Sequence, residues 1–208
     1  MEIKTLETDV GRVYVINGIP YPSVTTVISG GGKSSGFSSP AATIGTLVHK
    51  KILSNYSTRT LPVEILPVWK LDQREVHQRI NLAVAMWRRL ALNITPIMVE
   101  SVVYSNDDRY AGRLDMTCEL DGVYTVLDIK TGREYDYHPM QGAAYWYALD
   151  EEPDQVAFVY LDSIIDRNPS MEGHVRLYNR GELTDALGAF RKRLSTFHSK
   201  HDLSAVVI

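Results

Sequence analysis

The stretch Val126-Leu127-Asp128-Ile129-Lys130-Thr131-Gly132 constrains this chain more than any other. Side chains alternate across a strand, so Asp128 and Lys130 project to one face. Val126, Leu127 and Ile129 place that strand in a core, where an unpaired carboxylate or ammonium is costly. Just upstream, Gly112-Arg113-Leu114-Asp115 adds a second acid on the preceding candidate strand. Two carboxylates and a lysine converging at the edge of a core are suited to hold hard divalent cations through oxygen. The lysine can then orient a water or stabilise charge on a phosphate. Asp-x-Lys on a strand also arises by chance as a solvated pair, so the surrounding residues decide its meaning.

The chain has 208 residues and suits one α/β or α+β unit over 1–208, with a helical insertion at about 40–93. No apolar run reaches the length of a membrane span. The start, Met1-Glu2-Ile3-Lys4, lacks a secretory pattern, which predicts an intracellular, cytoplasmic protein. Cys118 is the only cysteine, which excludes an internal disulfide and a cysteine-held zinc or iron–sulfur site. The formal net charge of −3 gives no global pull toward nucleic acid. Basic residues cluster locally at His49-Lys50-Lys51, Arg88-Arg89 and Arg191-Lys192-Arg193, each of which also reads as a solvated helix face.

Gly11 to Ile19 reads as a strand and turn, and Tyr21 to Ile28 as a strand or short helix. Ser29 to Ser39 is a glycine- and serine-rich loop, either a linker or a segment over a site. Gly30-Gly31-Gly32-Lys33-Ser34 has the wrong spacing for a phosphate loop. Ser39 as N-cap and Pro40 at the first position predict a helix to about Leu53. Pro62 and Pro67 break the chain after it. Asp72 with Glu75 resembles a capping box ahead of a helix whose stripe of Val76, Ile80, Ala83, Trp87 and Leu90 is core. Strands follow over Ile97–Tyr104, Ala111–Leu120 and Val123–Lys130, the last two joined by a tight turn at Asp121-Gly122. A helix over about Pro139–Leu149, strands over Gln155–Asp162 and His174–Tyr178, and a helix over about Glu182–His198 complete the pattern.

Further residues converge on the acids. Gln141 and Tyr145 are four apart on the helix after Lys130 and share one face. Glu100 lies in an apolar strand and needs a partner. His49, near the end of the early helix, could add a nitrogen ligand to an oxygen site, which suits manganese as well as magnesium. The competing roles are a surface Gln141, a core Tyr145 and a structural His49.

The ordered series Gly45-Thr46-Leu47-Val48-His49, Glu100, Gly112-Arg113-Leu114-Asp115, Asp128-Ile129-Lys130-Thr131-Gly132 and Gln141-Gly142-Ala143-Ala144-Tyr145 resembles the RecB-like branch of the PD-(D/E)XK nuclease superfamily. Tyr21-Pro22-Ser23-Val24-Thr25-Thr26-Val27 is similar to the N-terminal segment of phage exonucleases and of the mitochondrial genome maintenance exonuclease. The resemblance implies a restriction-endonuclease-like α+β core, a mixed sheet flanked by helices, and metal-dependent hydrolysis of DNA. It implies His49, Asp115, Asp128 and the Ile129 carbonyl as ligands of one or two Mg2+ or Mn2+ ions. It implies Lys130 as the lysine that positions water or stabilises the transition state, Gln141 and Tyr145 as the supporting, DNA-contacting helix motif, and Glu100 as an accessory acid. Ser23 and Thr25 would approach a phosphate. Relatives that hold an iron–sulfur cluster carry four cysteines, which this chain lacks. No helicase motor is encoded here, so a helicase or recombination protein working with it would be separate. A small nuclease domain of this kind suggests a phage or mobile-element origin.

The expectation is an exonuclease on single-stranded DNA ends. The alternatives are a structure-dependent or duplex endonuclease, and a non-catalytic DNA-binding recombination or packaging factor. The intact acid–acid–lysine set argues against the last. Trp69, Tyr137, Trp146 and Tyr147 are candidates to stack on bases, with core packing as the competing role.

Overall fold

The structure, a computed structural model, describes residues 1–32, 40–57, 72–161, 173–204 and 206. Ser39, Pro62, Pro67, Trp69 and most of the Ser29–Ser39 loop therefore lie outside the described residues.

The N-terminal part is an antiparallel three-stranded sheet of β1 (Ile3–Thr8), β2 (Gly11–Ile16) and β3 (Ile19–Pro22). The ambiguous β-branched run after it is helical: α1 spans Val24–Ser29. The Ser23 hydroxyl accepts the Thr26 amide at its start, and Gly30 ends it in the left-handed region at φ 82°. Two helices follow, α2 (Pro40–Leu53) and α3 (Gln73–Arg89). Asp72 caps α3 through the Arg74 amide, as expected, but Glu75 pairs with Arg79 at 2.5 Å.

A five-stranded sheet then forms from β4 (Ile94–Ser105), β5 (Tyr110–Leu120), β6 (Val123–Lys130), β7 (Gln155–Tyr160) and β8 (His174–Asn179), in that spatial order. The β5–β6 turn has positive φ at both Asp121 (52°) and Gly122 (81°), the conformation of a two-residue hairpin matched to strand twist. After β6 the chain crosses over through α4 (His138–Tyr147), so β7 runs parallel to β6, while the other strand pairs of this sheet are antiparallel. α5 (Arg180–Lys200) closes the fold behind a full capping box of Asn179 and Glu182. The result is the expected α+β architecture, a mixed sheet flanked by helices.

Each face of the large sheet is covered. On one side Val126, Val156 and Phe158 pack with Ala143 and Trp146 of α4 and with Leu183, Leu187 and Phe190 of α5. On the other side Leu127, Ile129 and Val159 pack with Ile44, Val48 and Ile52 of α2 and with Ala83 and Trp87 of α3. Cys118 is fully buried in this second layer, and burial pushes its thiol up to about 12, so it is a packing residue. Among the described residues no helix is long and apolar enough to cross a membrane.

Candidate active site

The β5–β6 ladder sets the site. Its last paired residues before the strands part are Met116 and Leu127, which leaves Asp115 and Asp128 next in register on adjacent strands. On the other side of β5, the pairs Val99–Met116 and Ser101–Leu114 bracket Glu100 and Asp115. Three neighbouring strands thus bring Glu100, Asp115 and Asp128 into one row across the sheet.

That row is irregular. Glu100 sits at φ 50°, rare for a non-glycine residue in a strand and a kind of strain found at functional sites. Leu114 packs in the α4–α5 layer and Met116 in the α2–α3 layer, although residues two apart on a regular strand share a face. β5 therefore turns its faces over at Asp115. Where the backbone ladder stops, the Asp115 carboxylate takes over: the Ile129 amide donates to its Oδ2 at 2.7 Å. The N–H and C=O of a strand residue point to the same side, so the Ile129 carbonyl is also directed toward this opening.

His49 reaches the opening from α2, with Nδ1 3.1 Å from Asp115 Oδ1. Gly45, one turn earlier on α2, allows this approach. A Cβ there would meet Thr131 Oγ1 at 2.8 Å. On the β5 side, a Cβ at Gly112 would fall into the ring of Tyr145. Two glycines of the motif series thus exist to let α2 and α4 close on the strand ends.

Asp128 and Lys130 share a face, as the alternation requires. Lys130 Nζ is 2.5 Å from Asp128 Oδ2, and their side chains are only 16 % and 5 % exposed. The ammonium of Lys130 is thus the cation that faces the buried Asp128 Oδ2. Gln141 organises the group from α4. Its Oε1 accepts from Lys130 Nζ at 2.9 Å, and its Nε2 donates to the Tyr145 hydroxyl at 3.1 Å and to Asp128 Oδ1 at 3.5 Å. Gln141 is buried, not on the surface.

The charges are coupled. Burial raises the Asp128 pKa, and the ammonium of Lys130 only partly offsets it while Asp115 adds to it. Burial also opposes ionisation of Asp115, but His49, its hydrogen bond and the Ile129 amide together hold the carboxyl below its usual range. Burial works to lower His49, yet Asp115 and Asp128 outweigh it and the imidazole is raised.

Among the described residues no three His, Cys, Asp or Glu side chains are grouped so as to hold an ion as they stand. The pairing explains this. His49 faces Asp115, and Lys130 sits on the Asp128 oxygen that a cation would use. The donors themselves, two carboxylates, an imidazole and a carbonyl, fit a divalent cation of the magnesium or manganese class. Asp128 Oδ2, held here by Lys130, is the atom such an ion would share.

Ser23, Thr25, His49, Glu100, Asp115, Gln141 and Tyr145 line one cleft of about 450 Å³, and Lys130 lines the cavity next to it. Ser23 is buried and its hydroxyl is engaged with Thr25, Thr26 and the α1 cap, whereas Thr25 is exposed. Glu100 Oε2 lies 3.9 Å from Arg113. Of the aromatic candidates, Trp146 is a core residue whose indole donates to the Pro153 carbonyl at 2.7 Å. Tyr147 is engaged by Arg191 at 4.4 Å, and Tyr137 is exposed. Trp69 lies outside the described residues.

No family model and no curated protein matches this chain. Among solved structures it is similar to LHK-Exo, an alkaline exonuclease from Laribacter hongkongensis, in complex with dAMP. That similarity has 12% identity over 86% of this chain and 87% of that one, with a TM-score of 0.42. It is also similar to a protein of Eubacterium rectale whose assignment as an exonuclease is provisional, at 12% identity over 79% of this chain and 70% of that one, TM-score 0.41. At that distance the likeness carries nothing about chemistry, which rests on the site's own residues.

Sequence reasoning assigned no role to Arg12, Tyr14 or Arg113, all of which line the cleft. Arg113 stood inside a quoted motif, and its outward position opposite the apolar face of β5 was the available signal. Arg12 and Tyr14 gave none, because their place depends on how β2 packs beside β5.

Proposed function

We propose that this chain is a metal-dependent deoxyribonuclease that hydrolyses phosphodiester bonds at single-stranded DNA ends. The observation that carries this reading is the convergence of His49, Asp115, Asp128 and Lys130 where β5 and β6 part. A binding module has no need of a buried and a half-buried acid beside a half-buried lysine. Asp115, Asp128, His49 and the Ile129 carbonyl would hold a divalent cation. When bound, such a cation lowers the pKa of water and neutralises charge on a phosphate.

Lys130 supplies a positive charge directed at the phosphate, where it stabilises the charge that develops during attack. Gln141 holds that ammonium in place and ties it to Tyr145. Glu100, held in an unusual backbone conformation beside Asp115, acts as an accessory acid. Arg12, Lys50 and Arg113 give the cleft walls positive charge that favours a phosphate backbone despite the acidic chain. Thr25 is the hydroxyl best exposed to contact a phosphate, with Ser23 supporting it.

The test is digestion of single-stranded DNA, labelled at the 5′ or the 3′ end, beside a circle of the same sequence. Magnesium, manganese or a chelator is present in parallel. Loss of the linear strand only with the metals, and survival of the circle, is expected. Rapid cutting of the circle would turn the reading to an endonuclease. Binding without turnover under every metal would turn it to a non-catalytic factor.

A further inference from the structure

We propose that Tyr135 and Tyr137 form a ledge that stacks an unpaired base of a DNA strand whose backbone lies at Lys130. This deepens the nuclease reading and rests on it.

The segment following Lys130 leaves β6 and ends in the cap of α4, so its side chains stand beside the candidate active site. There Lys130, Arg133, Tyr135, Tyr137, His138 and Gln141 line a second cavity of about 610 Å³. This cavity shares Thr25, Ala42 and Gln141 with the cleft that holds Asp115 and His49. A strand lying in one continues into the other.

The two rings are parallel to within 13°, with centroids 5.2 Å apart. Tyr135 is 39 % exposed and Tyr137 40 %, whereas the tyrosines of the neighbouring core, Tyr145 and Tyr160, are buried. Leaving two aromatic rings partly in water forgoes part of the gain of burying them. Their orientation is fixed in advance. The buried ring of His138 stands edge-on to Tyr135 at 85° and to Tyr137 at 86°. His138 Nδ1 in turn meets the Tyr160 hydroxyl at 3.0 Å and accepts the Tyr135 amide at 3.4 Å. A pre-ordered aromatic surface binds with less entropy to lose.

The charges select the occupant. The Arg133 guanidinium lies 5.0 Å from the centre of the Tyr135 ring, and Lys130 borders the same cavity. Aromatic faces interleaved with cations match a single strand, whose bases stack while its phosphates pair. A duplex keeps its bases stacked on one another and offers no free face to the ledge. The ledge therefore favours unpaired DNA.

The test uses fluorescent single-stranded oligonucleotides with one abasic position moved stepwise along the strand, bound in chelator so that nothing is cut. Wild-type protein should lose affinity roughly tenfold or more at one or two adjacent positions, the scale of a lost base–aromatic stack. The double variant Tyr135→Ala/Tyr137→Ala should bind intact DNA that much more weakly, with no further loss at those positions. Tyr135→Phe/Tyr137→Phe should bind like wild type. The wild-type abasic scan needs no variant and stands if the alanine protein fails to fold. An even abasic profile, no binding at all, or a full abasic penalty in the alanine variant would overturn the ledge. Turnover with manganese separates the two ideas. Cutting without an abasic penalty refutes the ledge alone, and a penalty without cutting refutes the nuclease alone.

Discussion

His49 and Asp115, 66 residues apart in sequence, meet at 3.1 Å where β5 parts from β6. The pair joins α2 to the sheet at the place proposed for a divalent ion. An imidazole raised by Asp115 and a carboxyl lowered by His49 are the groups that a divalent ion would engage in place of each other.

Metal addition should therefore stabilise the protein. Manganese or magnesium at a hundred times its dissociation constant adds about 2.7 kcal/mol to a folded state that binds it. Thermal melting should rise with metal in wild type and stay flat in Asp115→Asn and Asp128→Asn. A rise of equal size in both variants would remove these acids from the ligand set.

Gln141 is the positioning residue of the group. Gln141→Leu keeps the volume but removes the amide acceptor of Lys130 and leaves the Tyr145 hydroxyl without its donor. Stability should fall by about 1–3 kcal/mol, the cost of unsatisfied buried groups. Turnover should fall while metal-induced stabilisation persists, because no ligand is lost. Kinetics and melting on the same preparation check both.

Gly112→Ala tests the closeness of α4 to β5. The added methyl meets the Tyr145 ring, and overpacking of this kind costs about 1–3 kcal/mol. Urea denaturation should show that loss, and activity should drop with it because Tyr145 and Gln141 move together. Gly188→Ala, where a Cβ meets nothing, should be free of both effects.

His138 gives the fold a pH dependence. Burial, with a smaller push from Lys130, lowers its pKa to about 4 from 6.5. The unfolded chain then takes up a proton before the folded one as pH falls. The stability from a neutral His138 is complete above about 6.5 and is lost on descent toward 4, up to about 3 kcal/mol by linkage. Carboxylates such as Asp115 add losses at the lower end, so the variant isolates the effect. His138→Phe should have a shallower decline between pH 6.5 and 4 in urea titrations. An unchanged slope would show that His138 takes up its proton equally in the folded and unfolded chain.

Much of the site was legible because it depends on short-range rules. The period of two put Asp128 and Lys130 on one face. The Asp121-Gly122 turn fixed the hairpin register and with it the adjacency of Asp115 and Asp128. What was not legible depends on tertiary placement. The end of the β5–β6 ladder at Met116 and Leu127 and the left-handed Glu100 have no local signature. β1 escaped notice because its half-exposed residues, with Lys4 and Glu7 among them, show no clean alternation. The run Val24–Ile28 has strand composition, and the Ser23 cap and Gly30 stop made it a helix.

The most direct measurement compares Lys130→Met and Asp128→Asn for turnover of end-labelled single-stranded DNA and for manganese binding. Lys130→Met removes the cation that sits on Asp128 Oδ2 without removing a ligand. Its metal affinity should hold or tighten, and its turnover should fall about a hundredfold or more, as when a group stabilising transition-state charge is deleted. Asp128→Asn should lose both. Melting of each variant shows that it is folded. Wild-type turnover in Lys130→Met, or intact metal binding in Asp128→Asn, would contradict the account.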